Sequence, residues 1–478
     1  MEILVETAGA PWAGVRVRAL SGREEISRLF SFDLDVVCDP QRDLPEDAVP
    51  GAPISVVVLV EGEEIRRIHG ILGQILDRLD PDAERRAYRL RVVPRAFKLT
   101  LVETQEIYLD ASVPDVIRRK LERHGLGAGD VELRLLKAYS LRELIVQYKE
   151  SDLAFISRLA EHLGISFYFE HRRDRDVLVF TDHPGGFRPV EGAAEVQFRP
   201  RGEASDVFAI ERTSKLVPSA YVVHDYNYRK PLLDLAAYHT LEGASGGGIV
   251  EYGSHVKTAE EAKELARIRA EERLSEQRVY EGKSARPEFS AGHRTVLREH
   301  PRLEAPEGLL LVGVEHTATL PAFDEEGVAA SYANTFTAVP ASVHYRPPRR
   351  TPRPRIHGFV TGVVQPGPEG EAGGVARLDG DGRYTVQFHF DTALPGEQKS
   401  SHPVRMAQPF AGPNHNMHFP LRPGAEVLLV FADGDPDRPI IVGAVPNAAA
   451  PSAVNAATAD RHRITTAAGA MIEIRDRR

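Results

Sequence analysis

The chain has 478 residues, room for two to four domains of about 150 residues each, and its 42% hydrophobic and 27% charged content is that of globular material, neither disordered nor membrane-embedded. Cys38 is the only cysteine, which rules out an intrachain disulfide and cysteine-built zinc or iron–sulfur centres. A net charge of −9 argues against nucleic-acid binding over the whole surface, no run approaches the ~18 apolar residues of a membrane helix, and the opening MEILVETAGAPWAG lacks the basic start and long apolar run of a signal peptide.

Residues 1–100 read as strands and turns. Ser31–Val37 and Ile54–Val60 are rich in β-branched and aromatic residues, and Tyr88–Val93 alternates apolar with polar as a half-solvated strand does. Asp39-Pro40 and Pro50-Gly51 supply turns between them. Over 101–206 the period changes. Ser112-Val113-Pro114-Asp115 is a helix start running to a stop at Gly125, and Ser140-Leu141-Arg142-Glu143 predicts a second helix over the following LIVQYKE. Ser151 opens a third, with Leu153, Ile156, Leu159 and Leu163 on one face and Gly164 at its end. Ile165–Glu170 and Val177–Phe180 then make a hairpin, so this region is α+β.

Residues 207–345 return to strands, with Tyr221–Tyr228 expected as the longest. One helix interrupts them from a capping box at Thr258–Glu261 to about Arg278. Opposite charges three apart (Glu260/Lys263, Glu264/Arg267, Arg269/Glu272, Arg273/Glu276) mark it as solvated. RPPRRTPRPR, residues 346–355, reads as an extended connector or subunit contact. Residues 356–447 hold five to six short strands, among them the alternating Arg383–Phe390 after a turn at Leu378–Gly382, and fit a small closed barrel of the OB type. In 448–478 a loose Ala-rich stretch precedes two short strands around Gly469, too little to bury a face alone.

Candidate chemistry is thin. Gly243-Ala244-Ser245-Gly246-Gly247 matches a nucleophile elbow, but no helix follows it, so a flexible loop is expected. Asp433, Asp435 and Asp437 alternate as in a calcium loop. Positions six and twelve, however, are Arg438 and Ala444, which favours a turn whose aspartates cap backbone N–H groups while Arg438 offsets their charge. Asn414–His418 is the densest histidine cluster and lacks a third ligand at diagnostic spacing; His162, His171 and His389 need no special role. Glu150 and Asp152 could be read as paired glycosidase acids; a junction between two helices capped by Ser151 or Asp152 is the simpler reading. No catalytic, metal or cofactor site is therefore assigned. An OB-type nucleic-acid binder would need a basic groove with exposed aromatics, whereas 356–447 holds ten acids against six bases, and Tyr384, Phe388 and Phe390 are expected to face the core.

Taken together, these plain segments form a distinctive series. Gln147, Tyr148, Glu150, Ser151 and Asp152 stand in VQYKESD, followed by Gly164-Ile165 and Tyr168-Phe169. Then come Gly382-Arg383 with Val386–Phe388, Gly424 and Glu426 in GAEV, and Gly434-Asp435-Pro436-Asp437-Arg438-Pro439; His69-Gly70-Ile71 precedes them all. The series resembles the valine–glycine repeat (VgrG) spike family of type VI secretion, related to contractile phage tail hub and spike proteins. The resemblance implies a mainly β (α+β) chain. Two hub-type β-barrel domains (1–100 and 207–345) would flank the α+β elaboration at 101–206, followed by the 346–355 linker, an OB-fold barrel at 356–447 and the start of a trimeric β-helix needle at 448–478. It implies a non-catalytic homotrimer without cofactor, and no nucleic-acid partner. Such a trimer sits on a hexameric Hcp-type tube at its base, contacts baseplate proteins, and carries a PAAR-type tip and effectors at the other end. It is assembled in the cytoplasm and ejected to puncture a target membrane. A phage tail or an extracellular contractile particle is the alternative setting; a nucleic-acid-binding OB protein or a cell-wall hydrolase acting through Ser245 or Glu150 is more remote.

Overall fold

Strand formation follows the β-branched runs. In the computed structural model, Ser31–Cys38, Pro53–Val60 and Ala87–Val93 are strands that bury alternate or continuous apolar residues, among them Phe32, Leu34, Val56, Leu90 and Val92. The structure describes residues 1–476 except 41, 81–83, 200–205, 243, 245, 303–305, 322–328, 368–373, 375 and 394–399. The chain divides into two units. The first comprises Met1–Val102, Val113–Ser140 and Ser151–Pro352; the second takes Glu103–Ser112, Leu141–Glu150 and everything from Arg353 onward.

The first unit is organised by one large, mostly antiparallel sheet. Its path runs Val207–Ser214, Arg278–Ser284, Ser331–Pro340, Glu307–Thr319, Val15–Glu25, Ser31–Cys38, Ala87–Val93, Glu63–Asp77, Pro53–Val60, Glu2–Thr7. The early and late segments meet where Val15–Glu25 pairs with Glu307–Thr319, in a register that sets Gly22 opposite His316. Gly70 shows why glycine stands within a strand here: a Cβ would come within 2.4 Å of the Val93 carbonyl oxygen. Among the described residues three α-helices belong to this unit: α1 (Val113–Arg123), α2 (Asp152–His162) and α3 (Ala259–Leu274). The hairpin Ser166–Arg172/Arg175–Thr181 forms as its alternation requires, with the parallel strand Val131–Arg134 beside it. The longest strand between 207 and 345 is Glu307–Thr319, while the segment expected to hold that place is a strand only over Ala220–His224.

In the second unit, Val360–Val364, Val386–Phe388, Glu426–Phe431 and Pro439–Ala444 form a four-stranded sheet. Single bridges Tyr384–Val404 and Met406–Ile441 link its two outer strands, closing a circuit of backbone pairing. Regular pairing in Arg383–Phe390 is limited to three residues, and the expected alternation holds only in part: Tyr384, Val386 and Phe388 are buried and His389 is exposed, but Thr385 between the first two is buried as well. The LIVQYKE segment is not a helix. Arg142–Ser151 is a strand paired with Glu103–Ala111. Leu144, Ile145 and Val146 are all buried, as a strand covered on both faces demands, and Leu144 and Val146 join Ile107 in the core with Tyr384, Val386, Val427 and Ile441. This core is thus completed by two strands drawn from far upstream. The last hairpin, Arg461–Thr465 with Met471–Arg475 about Gly469 (φ +88°), leaves Ile464, Ile472 and Ile474 exposed. Among the described residues no helix is long and apolar enough to cross a membrane.

Candidate functional site

The VQYKESD segment is split where strand gives way to α2. Lys149 takes a left-handed φ of +47°, and Ser151, extended at φ −67°, ψ 156°, accepts a hydrogen bond from the Ala154 amide as N-cap. The junction is strand-to-helix, where two helices were expected. Asp152 turns inward, not toward substrate space: Lys120 Nζ donates to its Oδ1 at 2.9 Å and His124 Nε2 lies 2.8 Å from Oδ2. Lys120 and Asp152 are almost fully buried, so the carboxylate neutralises a buried ammonium. In the second unit, Gln147 donates from Nε2 to the Glu150 carbonyl at 3.1 Å, and the Tyr148 ring packs edge-on against Phe390 at 5.2 Å. Phe390 in turn stacks on Phe388.

The Asp-rich turn is built to hold chain together. Asp433 and Gly434 both adopt positive φ (+55° and +71°), which folds the segment between Glu426–Phe431 and Pro439–Ala444 tightly enough for Ile356 to donate to the Gly434 carbonyl. Asp435 accepts from the Asp437 amide at Oδ1 and from Arg353 Nη2 at Oδ2, at 3.1 and 2.7 Å. Arg438 stands farther away, with Nε 3.7 Å from Asp435 Oδ2. Asp437 Oδ1 then accepts the amide of Val146 at 2.7 Å. The two longest sequence motifs, 291 positions apart at this bond, are therefore fastened to each other within one unit. The same device recurs upstream. Asp379 accepts from the amides of Asp381 and Arg383 and from Arg383 Nε, and although burial pushes its carboxyl up, these donors hold it below its ordinary range. Gly382 makes the turn at φ +71°. Gly424, at φ +81°, donates to Val364, and Glu426 takes the Asn447 amide at 3.0 Å.

The other candidates dissolve into structure. Both ring nitrogens of His418 are engaged, by Tyr384 Oη and Gln408 Nε2, each at 3.0 Å, and His415 bonds the Pro413 carbonyl beside Phe410. His389 pairs with Thr361. Gly243 and Ser245 lie outside the described residues. On α3, Glu264/Arg267 and Arg273/Glu276 pair along the helix as expected. Arg269 and Glu272 instead are buried and reach off the helix, to Glu251 and Arg349, so one of the four expected pairs is not solvated. The arginines of 346–355 are likewise engaged. Arg346 is fully buried, bonding Glu271 and the Gly164 and Asp182 carbonyls. Arg349 pairs with Glu272 and Glu251, Arg350 with Glu25, and Arg355 with Asp433.

One cluster had no signature in the sequence. Deep in the large sheet, Arg66 pairs with Glu24 and donates to the Pro287 and Phe289 carbonyls. Glu24 also accepts from Ser290 Oγ and the Ala291 amide, and His316 binds Tyr332 at 2.6 Å. Burial pushes the Glu24 carboxyl up, but Arg66 and His316 outweigh it and hold it at about 2. Burial, reinforced by Arg66, pushes His171 and His316 down to about 3, and burial lowers His293 as well. His171, expected to be idle, accepts the His69 amide. These residues come from strands hundreds of positions apart, so only the folded register brings them together.

The phage tail baseplate hub (GPD) family matches residues 23–322, and a domain of unknown function (DUF6484) matches 372–445. The type VI secretion system spike protein VgrG4b of Pseudomonas aeruginosa is 33% identical over 457 residues, 91% of this chain and 55% of that protein. VgrG1a of the same organism is 30% identical over 90% of this chain and 67% of its own length. The actin cross-linking toxin VgrG1 of Vibrio cholerae is 28% identical, over 79% of this chain and 35% of the toxin. This chain thus spans little more than half the length of several curated relatives it matches. Among solved structures, Escherichia coli c3393, described as a type VI secretion component similar to the T4 tail proteins gp27 and gp5, superposes with a TM-score of 0.68 at 25% identity, covering 92% of this chain and 99% of that one. A Francisella PdpA–VgrG complex shares the fold at 10% identity, with a TM-score of 0.62 over 97% of this chain and 80% of that one.

Proposed function

Because the chain belongs to the phage tail baseplate hub family, and is a relative of the type VI secretion spike proteins, we propose that it is the hub and spike base of a contractile injection apparatus of the type VI kind. The observation that carries the reading is the extent of the match to the E. coli type VI component, which spans both the large sheet and the barrel-like second unit. In this reading residues 1–100 and 207–345 are the two hub barrels, 101–206 their α+β elaboration apart from Glu103–Ser112 and Leu141–Glu150, which belong to the second unit, 346–355 the connector, 356–447 an OB barrel and 448–478 the start of the needle.

Three copies act together. A lone two-stranded hairpin is marginal in water, and Arg461–Arg475 sets Ile464, Ile472 and Ile474 on one face while Arg461, Arg463, Glu473 and Arg475 form an ionic ladder on the other. Turning the isoleucines toward a threefold axis covers them and leaves the ladder in water. The base of the trimer takes a hexameric Hcp-type tube and baseplate proteins, and the needle end takes a PAAR-type tip and effectors. The apparatus assembles in the cytoplasm, and contraction drives the spike through the target envelope. No step requires catalysis by this chain. The motif residues Gln147, Tyr148, Glu150, Ser151, Asp152, Gly382, Arg383, Gly424, Glu426 and Gly434–Pro439 serve as fasteners. Light scattering of the purified chain, followed by co-purification with a hexameric tube protein, tests the reading. A strict monomer that ignores the tube would overturn it.

A further inference from the structure

A three-stranded sheet in the first unit has one covered and one bare face. Its strands are Ala237–Thr240, Ala220–His224 and Gly248–Tyr252, in that order. On one side Val223 and Ala237 pack against Ala262, Leu265 and Ala266 of α3. On the other, register places Tyr238, Val222 and Val250 in one row, with His224 and Tyr252 in ring contact beside them. Tyr238 is 75% exposed, Val250 71% and Tyr252 59%. The remaining outward positions are Ala, Thr and Gly, so the face carries no Asp, Glu, Lys or Arg in a chain that is 27% charged. An exposed apolar face of this kind marks an interaction surface.

Three observations identify the occupant. The face has no charge with which to recognise an acidic, basic or nucleic-acid partner. Three strands about 4.8 Å apart and five residues of about 3.3 Å each give only about 14 × 17 Å, on the order of 240 Å². A free-standing complex buries about 800 Å² per partner, so this patch works only beside other contacts, as between copies of one chain in a closed ring. Interfaces in a cyclic trimer are heterologous, so the face must meet a different surface of the same chain. Such a surface projects from the same subdomain. The loop joining the first two strands is ordered by Asn227, which accepts from the Lys230 amide at its carbonyl and from the Arg229 amide at Oδ1, and it is anchored by the fully buried Leu235. It holds Leu232 99% exposed.

Resting on the trimeric reading above, we infer that the Leu232 loop of one copy docks on the Tyr238–Val222–Val250 face of the next and helps close the hub ring. The test co-expresses two differently tagged chains, one Leu232→Cys and the other Val250→Cys. Both positions are exposed, and the one native cysteine, Cys38, is buried. Mild oxidation is expected to give a disulfide-linked heterodimer between the tags that reductant dissolves. Val250→Asp is expected to raise at least tenfold the concentration at which the trimer dissociates, with unchanged circular dichroism; Val250→Ser serves if the charged variant misfolds. If the wild type is a trimer but the paired cysteine variants give no cross-link, and assembly is unchanged by Val250→Asp or Val250→Ser, this interface is overturned and the trimeric reading stands. A wild-type monomer overturns both.

Discussion

Replacing Asp437 by alanine removes the acceptor that binds the Val146 amide to the Asp-rich turn. The bond is 2.7 Å long, its acceptor is ionised, and Val146 lies fully buried in the core of the second unit. A hydrogen bond to a charged group is worth about 1.5–3 kcal/mol. Asp437 itself is half-buried, so water can replace part of its role on the turn side, which points to the lower half, about 1.5–2 kcal/mol. For a unit of about 150 residues each kcal/mol moves the midpoint by roughly 2–4 °C, so its thermal transition should fall by about 3–8 °C. Calorimetry of the whole chain reads this directly, because the transition of the first unit should stay in place. Asp437→Asn keeps the accepting oxygen and loses only the charge, so it should cost under about 1 kcal/mol. If alanine and asparagine lower the same transition equally, or neither does, the fastening argument is wrong.

Arg66→Met should destabilise the first unit by about 3–5 kcal/mol in denaturant titrations, since it strands the buried Glu24 carboxylate, and Glu24→Gln combined with it should cost less than the single change. The same unit should be acid-labile. His171 and His316, held at about 3 when folded, gain protons near pH 6.5 only on unfolding, so stability is intact above that pH and falls as pH drops, by about 1.4 kcal/mol per unit per histidine. Glu24, held at about 2, adds to the loss below about pH 4.5, and urea midpoints at pH 7 and pH 5 that coincide would contradict this. A fragment starting at Arg353 lacks Ile107, Leu144 and Val146 from its core and should give collapsed amide dispersion in NMR, whereas supplying Glu103–Ser112 and Leu141–Glu150 by fusion should restore it. Arg346→Ala removes bonds to two carbonyls and to Glu271 from a fully buried site and should lower the first transition by about 3 kcal/mol.

Elements governed by local chemistry were legible in the sequence. Ser112 and Thr258 announce helices that form, and Ser151 caps α2 through the Ala154 amide as its type and position require. The Asp433–Asp437 turn was readable because aspartates two apart with Gly434 and Pro436 between them have few uses other than capping amides. LIVQYKE failed for a tertiary reason: a serine and glutamate at capping spacing suit a helix, but the run forms a strand whose Leu144 and Val146 are covered by core residues from past 353, which no local pattern reveals. Arg269 and Glu272 failed similarly. Their helical spacing is indistinguishable from that of solvated pairs, and only Glu251 and Arg349, from elsewhere in the chain, draw them inward. The Glu24–Arg66–His316 cluster was invisible because each member sits singly in its own strand.

What the spacing of these motifs encodes is attachment. General acids, bases and metal ligands need side-chain atoms left open toward a ligand, with a proton affinity near working pH. Asp152, Asp379, Asp435 and Asp437 each point instead at an amide, an arginine or a lysine of the same unit. The basic run at 346–355 follows the same rule, since Arg346, Arg349, Arg350, Arg353 and Arg355 all meet carboxylates. Charge that would otherwise steer ligands is thereby taken up in holding distant segments in register. The exposed surfaces at Tyr238–Val250 and Ile464–Ile474 are apolar, and such surfaces gain nothing from a small charged ligand and much from burial against other chain. Ions that fasten each unit internally, together with these two bare apolar faces, are what the proposed role at the base of a pushed spike would require.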